Sequence, residues 1–188
     1  MNQSREKAWT LFRKYVQADS LTKHCLAVEA AMRGCAKQFN EDVEIYGVCG
    51  LLHDIDFEQW PDNHLSKATE ILSEAGYSED FIQAVMGHGD FTGVQRETTM
   101  AKCLYAVDQL ASFIVAVALM RPTYFEGMTP KSVKKKMKDK AFARAVDREE
   151  IKKGAEELGV DLSELIQWVI DALNEREKEL QEMGMSLL

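Results

Sequence analysis

The chain has 188 residues, of which 46% are hydrophobic and 29% charged, and its formal net charge at pH 7 is −8. These values are typical of a soluble globular protein that is long enough for one domain with a sizeable core. The negative charge argues against generic binding to nucleic acid, because such binding relies on Lys and Arg side chains that neutralise phosphates. It remains compatible with a small phosphorylated substrate, since a bound metal supplies positive charge locally.

The four cysteines stand singly in apolar segments, without the spacing of a disulfide framework or a zinc ribbon. We expect them to be buried thiols in a reducing compartment. The N-terminus has no signal-peptide pattern, and the longest apolar run, Phe113 to Met120, is too short to span a membrane. The sequence therefore predicts a cytoplasmic protein without a membrane segment.

Helical periodicity is nearly continuous up to residue 120, and no alternating pattern is long enough for a convincing strand. The predicted helices cover residues 4–17, 22–39, 41–53, 64–75, 78–87 and 98–120. We expect Asp62 or Asn63 to cap the fourth of these helices and Ser78 to cap the fifth. The Gly-rich string GHGDFTG is predicted to be the loop before the sixth helix.

The character of the chain then changes. Residues 123–150 are basic and contain the string KSVKKKMKDK, which we interpret as a solvated helix face, because it lacks the interleaved aromatic residues of a nucleic-acid patch. Residues 151–182 form an acidic amphipathic region. Gly159 is expected to divide it into two helices, with Asp161 or Ser163 as the cap of the second.

No Pro-rich or Ser-rich linker interrupts the chain. We therefore predict one all-α domain over residues 1–188, with a core at about 20–125 and a C-terminal helical extension at about 126–188 that packs on the same core. The amphipathic C-terminal helix is also a candidate for a homodimer contact.

Four residues are candidate metal ligands. His24 and Asp108 each share a predicted helical face with apolar residues and should point inward, and His53-Asp54 follows the apolar run GVCGLL. A buried carboxylate needs compensation, which a cation provides. Imidazole nitrogen and carboxylate oxygen are ligands of zinc, iron, manganese and nickel. From spacing alone, two explanations are equally good: a metal site, or buried histidines with ion-paired aspartates.

The order H…HD…D, with LLHDID as its central string, resembles the HD superfamily of metal-dependent phosphohydrolases. The strings HLSKATEIL, FIQAVMGHG and LYAVDQLASFI continue the resemblance in the family's order, so that it covers about residues 20–125. The resemblance implies a helical bundle in which His24, His53, Asp54 and Asp108 bind a divalent transition metal, such as Fe, Mn, Zn, Ni or Co.

In family members with two metals, the equivalent of Asp54 bridges them, and histidines that match His64 and His88 hold the second metal. This chain departs from the family pattern at two positions. Phe57 stands where the family often has a functional Lys, and Gly87 replaces the first of two paired histidines in the phosphodiesterase branch. We therefore do not expect cyclic dinucleotide hydrolysis, and His64 and His88 are as well suited to a substrate phosphate as to a second metal.

The resemblance implies hydrolysis of a phosphate ester, from a nucleotide or another small phosphorylated metabolite, by a metal-activated water. Asp54 is the candidate to orient this water or take its proton, and His88 or His64 is the candidate to protonate the leaving oxygen. Lys67 and Arg121 are candidates for contact with the phosphate, although ordinary surface charge explains each of them equally well.

Two other functions fit the same residues. A di-iron oxygenase would use His64 and His88 as ligands of a second iron. A non-catalytic module would instead bind a phosphorylated ligand, such as a nucleotide, and signal through the C-terminal helices.

Overall fold

The computed structural model describes residues 4–188, which form nine α-helices and two 3₁₀ turns and contain no β-strand. The helices are α1 (Arg5–Tyr15), α2 (Asp19–Phe39), α3 (Val43–Leu52), α4 (Ser66–Glu74), α5 (Glu79–Gly87), α6 (Thr99–Leu119), α7 (Pro130–Met137), α8 (Arg148–Leu158) and α9 (Leu162–Glu182). The 3₁₀ turns are Pro61–Asn63 and Asp90–Thr92. The prediction of an all-α fold is confirmed.

Several helix ends lie where the sequence predicts them. The Ser78 side chain accepts a hydrogen bond from the backbone N–H of Phe81 at the start of α5, and Asp161 accepts one from Ser163 at the start of α9. Gly159 ends α8 with a φ of 74°, a left-handed conformation that glycine adopts without steric cost. These ends depend on local chemistry, which is why the sequence alone reveals them.

The predicted start of the fourth helix is wrong. Asp62 and Asn63 belong to a 3₁₀ turn, and α4 begins only at Ser66, after Leu65 with a φ of 71°. The cap comes instead from Asp56, whose Oδ2 accepts a hydrogen bond from the backbone N–H of Ala68 at 2.8 Å. A cap that lies twelve positions before its partner cannot be recognised from a local pattern.

Helix α3 packs directly against α2 because Gly50 has no side chain. A Cβ atom added at Gly50 would lie 2.7 Å from the backbone oxygen of Val28. A Cβ atom added at Gly47 would instead meet the side chain of Arg33. The contact places the C-terminal end of α3 beside the N-terminal half of α2.

Helix α6 runs through the middle of the core and contacts α2, α5, α8 and α9. This helix has the length and composition of a membrane span, contrary to the expectation that no segment does. However, 67% of its most apolar 18-residue stretch is buried inside the protein. Core helices of soluble proteins often have this composition. The fold is thus compatible with a soluble protein.

The C-terminal helices cover two sides of this core, with α8 against α6 and α9 against α2. Gly154 of α8 permits the first contact, since a Cβ atom there would lie 2.6 Å from Cα of Ala106. The four cysteines are free and buried, as predicted. The division into a core and an extension stays a prediction.

Candidate metal centre

Six side chains from separate parts of the chain meet beside the N-terminal half of α2. They are His24 of α2, His53 and Asp54 at the end of α3, His64 before α4, His88 at the end of α5 and Asp108 of α6. We call this group the His–Asp cluster. All six residues that the sequence singled out as candidate ligands are brought together in it.

One half of the cluster, the first pocket, consists of His24, His53, Asp54 and Asp108. Nε2 of His24 lies 3.1 Å from Nε2 of His53, 3.2 Å from Oδ1 of Asp108 and 3.5 Å from Oδ2 of Asp54. Nε2 of His53 lies 3.4 Å from the same Asp54 oxygen and 3.6 Å from the Asp108 oxygen. Ligand atoms that surround one metal tetrahedrally at about 2.0–2.2 Å are about 3.3–3.6 Å apart, so the pocket has suitable dimensions.

The other half, the second pocket, consists of Asp54, His64 and His88. Oδ1 of Asp54 lies 3.3 Å from Nε2 of His64 and 3.4 Å from Nε2 of His88. The two oxygens of Asp54 therefore face different pockets. This is the arrangement that a bridging carboxylate needs.

The histidine rings are oriented by hydrogen bonds on the side away from the cluster. Nδ1 of His53 lies 2.8 Å from the backbone oxygen of Gly50, and Nδ1 of His88 lies 2.6 Å from that of Val85. A carbonyl oxygen only accepts hydrogen bonds, so Nδ1 carries the hydrogen in both rings. When these rings are neutral, each directs the lone pair of Nε2 into the cluster, as metal-binding histidines do.

Two further residues orient histidines, and sequence reasoning missed both roles. The buried carboxylate of Asp56 accepts a hydrogen bond from Nδ1 of His64 at 2.8 Å, and Ser112 is hydrogen-bonded to Nδ1 of His24 at 3.0 Å. A signal existed for each of them. Asp56 is a second acid in the string LLHDID, and Ser112 lies one helical turn after Asp108.

The cluster holds two ionised carboxylates away from solvent. Burial alone would raise the pKa of Asp54 and of Asp108, but the surrounding histidines hold both well below the usual value. Burial likewise opposes a charged ring at His24, yet the nearby carboxylates of Asp108 and Asp54 outweigh it and raise the pKa of His24 to about 10. Asp54 raises the pKa of His88 in the same way, against the effect of burial. The site therefore attracts positive charge.

One oxygen of this site has no hydrogen-bond donor. Oδ1 of Asp108 is buried, and although Nε2 of His24 is 3.2 Å away, the two atoms lack hydrogen-bond geometry. A buried polar atom without a partner is rare and costs free energy, and a bound ion can supply the partner that it lacks. The residues of the first pocket thus fit a divalent cation in charge, donor type and spacing.

Lys67 and Arg121, the candidate phosphate contacts, have polar partners outside the cluster. Lys67 pairs with Glu70 at 2.7 Å, and the guanidinium of Arg121 donates to the backbone oxygens of Tyr124 and Glu126. Their role in binding phosphate stays a prediction.

Two exposed aromatic side chains border the second pocket. The ring centres of Phe57 and Phe91 lie 5.2 Å and 6.2 Å from that of His64, and the two residues are 46% and 73% exposed. Phe57 thus gives an apolar edge to a place where the family often has a Lys. The sequence drew attention to Phe57 but not to Phe91.

Comparison with known proteins agrees with this geometry. Residues 21–112, which include all six residues of the cluster, match the model of the HD domain family. The chain therefore contains an HD domain over these residues, and most members of this domain family are metal-dependent phosphohydrolases. No match was found among curated proteins or among solved structures.

Proposed function

We propose that this protein is a metal-dependent phosphohydrolase that cleaves a phosphate ester of a nucleotide or another small phosphorylated metabolite. The observation that carries the proposal is the buried Asp108 oxygen without a donor, in a pocket of an HD domain where two Nε2 atoms and a second carboxylate also converge. We also predict a cytoplasmic location and no nucleic-acid or membrane partner. Helix α9 stays the candidate for a homodimer contact.

In this proposal, His24, His53, Asp54 and Asp108 hold the cation. When bound there, a divalent transition metal supplies Lewis acidity, which lowers the pKa of a water molecule and offsets negative charge on the phosphoryl group. The hydrogen bond from Nδ1 of His53 to the backbone of α3 keeps its ring in the orientation that this binding needs. The carboxylates of Asp54 and Asp108 are largely buried, so their charges act in a medium less polar than water.

Asp54 and the two histidines of the second pocket would also move protons. Asp54 would orient the attacking water and accept its proton, while the water oxygen forms a new bond to phosphorus. His88 or His64 would give its Nε2 proton to the alcohol oxygen as the old P–O bond breaks. Without a bound cation, the Asp54 carboxylate raises the pKa of His88 against the effect of burial.

Oxygenation at a di-iron centre is the second candidate. It is favoured by the position of Asp54, whose two oxygens face separate pockets that each contain two histidine Nε2 atoms. In that case His64 and His88 would hold the second iron and would not act as acids. Mixed-valence iron in aerobically purified protein, together with no turnover of phosphate esters, would support this function.

The test combines metal content with a substrate screen. We would measure metals in the purified protein and assay phosphomonoesters, phosphodiesters and nucleotides with added Mn, Fe, Co, Ni or Mg. Asp54→Ala should lose both metal and turnover, whereas Asp62→Ala, at an exposed position in a 3₁₀ turn, should keep both. Circular dichroism and Asp54→Asn would separate loss of the site from loss of the fold.

Metal retention and turnover at wild-type levels in Asp54→Ala would exclude the proposed site. Bound metal without turnover of any phosphate ester would instead favour the oxygenase or a non-catalytic binding module.

A further inference from the structure

A surface groove of about 360 Å³ opens beside His24, between the N-terminal half of α2 and the C-terminal half of α6. Its apolar walls are formed by Ala27, Val115, Leu119, Leu187 and Leu188. Asp19, Ser20 and Lys23 lie at its polar rim, and His24 and Ser112 form the end that meets the His–Asp cluster. The groove could hold about a dozen water molecules at their volume in the liquid.

His24 lies between the groove and the first pocket. His24 belongs to both, since its Nε2 faces the cluster while its Nδ1 is hydrogen-bonded to Ser112 in the wall of the groove. The His24 side chain is 22% exposed, more than any other side chain of the cluster, the next being Asp54 at 14%. The cluster is therefore most open on the side where the groove begins.

The outer wall is a built part of the fold. The buried carboxylate of Glu177 accepts hydrogen bonds from the backbone N–H of Leu187 and from the hydroxyl of Ser186, both at 2.7 Å. These bonds hold the segment 186–188 against the groove, and Leu187 is buried. The apolar wall is therefore held by contacts within the protein and is present without a ligand.

The charges at the rim already have partners. Lys23 pairs with Asp19 at 3.1 Å, and its Nζ donates to the backbone oxygen of Leu188 at 2.7 Å. An apolar ligand leaves these contacts intact. Leu119, which is 55% exposed, offers apolar surface that such a ligand would cover.

We infer that this groove binds the alcohol part of the substrate, and that this alcohol carries an apolar aliphatic group of several carbons. The inference rests on the proposed phosphohydrolase function and narrows its substrate class. With the phosphate at the His–Asp cluster and its ester oxygen within reach of His88, the rest of the ester chain would pass the exposed edge of His24 and lie along Leu119 and Leu187. Hydrolysis would release inorganic phosphate and the apolar alcohol.

The experiment measures affinity as a function of chain length. Non-hydrolysable n-alkyl phosphonates, from methyl to hexyl, would be titrated calorimetrically into the Mn-loaded protein, and the matching alkyl phosphates would be assayed as substrates. We expect affinity and kcat/KM to rise about two- to fourfold for each methylene, the range for partial to full burial of that group.

Leu119→Asp should abolish this dependence on chain length and leave methyl phosphonate binding and metal content unchanged. Met120→Asp is the matched control, because Met120 is the next residue, is similarly exposed and lies outside the groove. It should behave like the wild type.

Three results would overturn the inference, even if phosphate esters are hydrolysed. They are affinity that does not depend on chain length, no binding of any phosphonate, and the same dependence of affinity on chain length in Leu119→Asp and Met120→Asp. Chain-length-dependent binding without hydrolysis of any ester would instead overturn the proposed function and leave the groove assignment standing.

Discussion

At the scale of single residues, the candidate centre is specified as much by the groups that orient the histidines as by the histidines themselves. Backbone oxygens fix the rings of His53 and His88, whereas Ser112 and Asp56 contact those of His24 and His64. Asp56 has a second function, because it also caps α4. Its contact with His64 can therefore be tested directly.

Replacing Asp56 by Asn should weaken the second pocket selectively. The amide can still accept a hydrogen bond from Ala68, but its NH₂ group would then face Nδ1–H of His64 and disfavour the present ring orientation. We expect activity, or affinity for a second metal, to fall about 10- to 100-fold. Metal in the first pocket should be retained. Asp62→Asn is the control, and activity equal to wild type in Asp56→Asn would contradict the role assigned to this carboxylate.

Metal uptake should release protons, because the pKa of His24 in the metal-free protein is raised to about 10. At pH 7 its ring is protonated, and it must lose that proton before Nε2 can bind a cation. Metal affinity should therefore rise with pH up to about 10 and fall in acid. Calorimetry in two buffers of different ionisation enthalpy would count the protons released. The same affinity at pH 6 and pH 9 would be inconsistent with this coupling.

At the scale of helices, much of the fold follows from local patterns in the sequence. Apolar periodicity indicates the helices, and Ser78 and Asp161 mark two of their starts. The start of α4 was not predictable, because its cap comes from Asp56 in an earlier turn. The wall that Leu187 forms beside His24 was not predictable either, since it depends on how α9 and the segment after it pack against α2.

The contact between α2 and α3 gives a prediction at this scale. Gly50→Ala would place a Cβ atom 2.7 Å from the backbone oxygen of Val28, and backbone cannot move aside as a flexible side chain can. We expect a loss of about 1–3 kcal/mol in the free energy of unfolding, as for other overpacked cores. Metal affinity should also fall, since α3 carries His53 and Asp54. Gly154→Ala is the comparison, because it crowds α8 against α6 and should lower stability without a similar loss of metal.

Denaturant unfolding measures the change in stability. If both variants unfold at the same denaturant concentration as the wild type, the expected loss from crowding the helix contacts is contradicted. An equal loss of metal affinity in Gly50→Ala and Gly154→Ala would show that the α2–α3 contact has no special part in forming the pocket.

At the scale of the whole molecule, the six residues of the cluster come from five separate segments of the HD domain, between residues 24 and 108. Sequence order could suggest these residues, but only the packing of α2, α3, α5 and α6 brings their side chains within contact distance. A cation bound to them would join these segments and stabilise the folded state.

Removal of metal should therefore lower the melting temperature. A cation at about 100 times its Kd contributes about 2.7 kcal/mol, which corresponds to a shift of about 5–10 °C for a chain of this length. Calorimetric melting before and after chelation would measure the shift. Asp108→Asn is the control, since it lacks a ligand of the first pocket and should melt at the same temperature with and without chelator.

The most direct test of the central claim is anomalous X-ray diffraction from crystals of the purified protein, recorded at the absorption edge of the metal it contains. We predict a peak bounded by Nε2 of His24 and His53, Oδ2 of Asp54 and Oδ1 of Asp108, at about 2.0–2.2 Å from each of these atoms. Metal-loaded crystals with no peak at this position, or with a peak coordinated by other residues, would contradict the assignment of the first pocket.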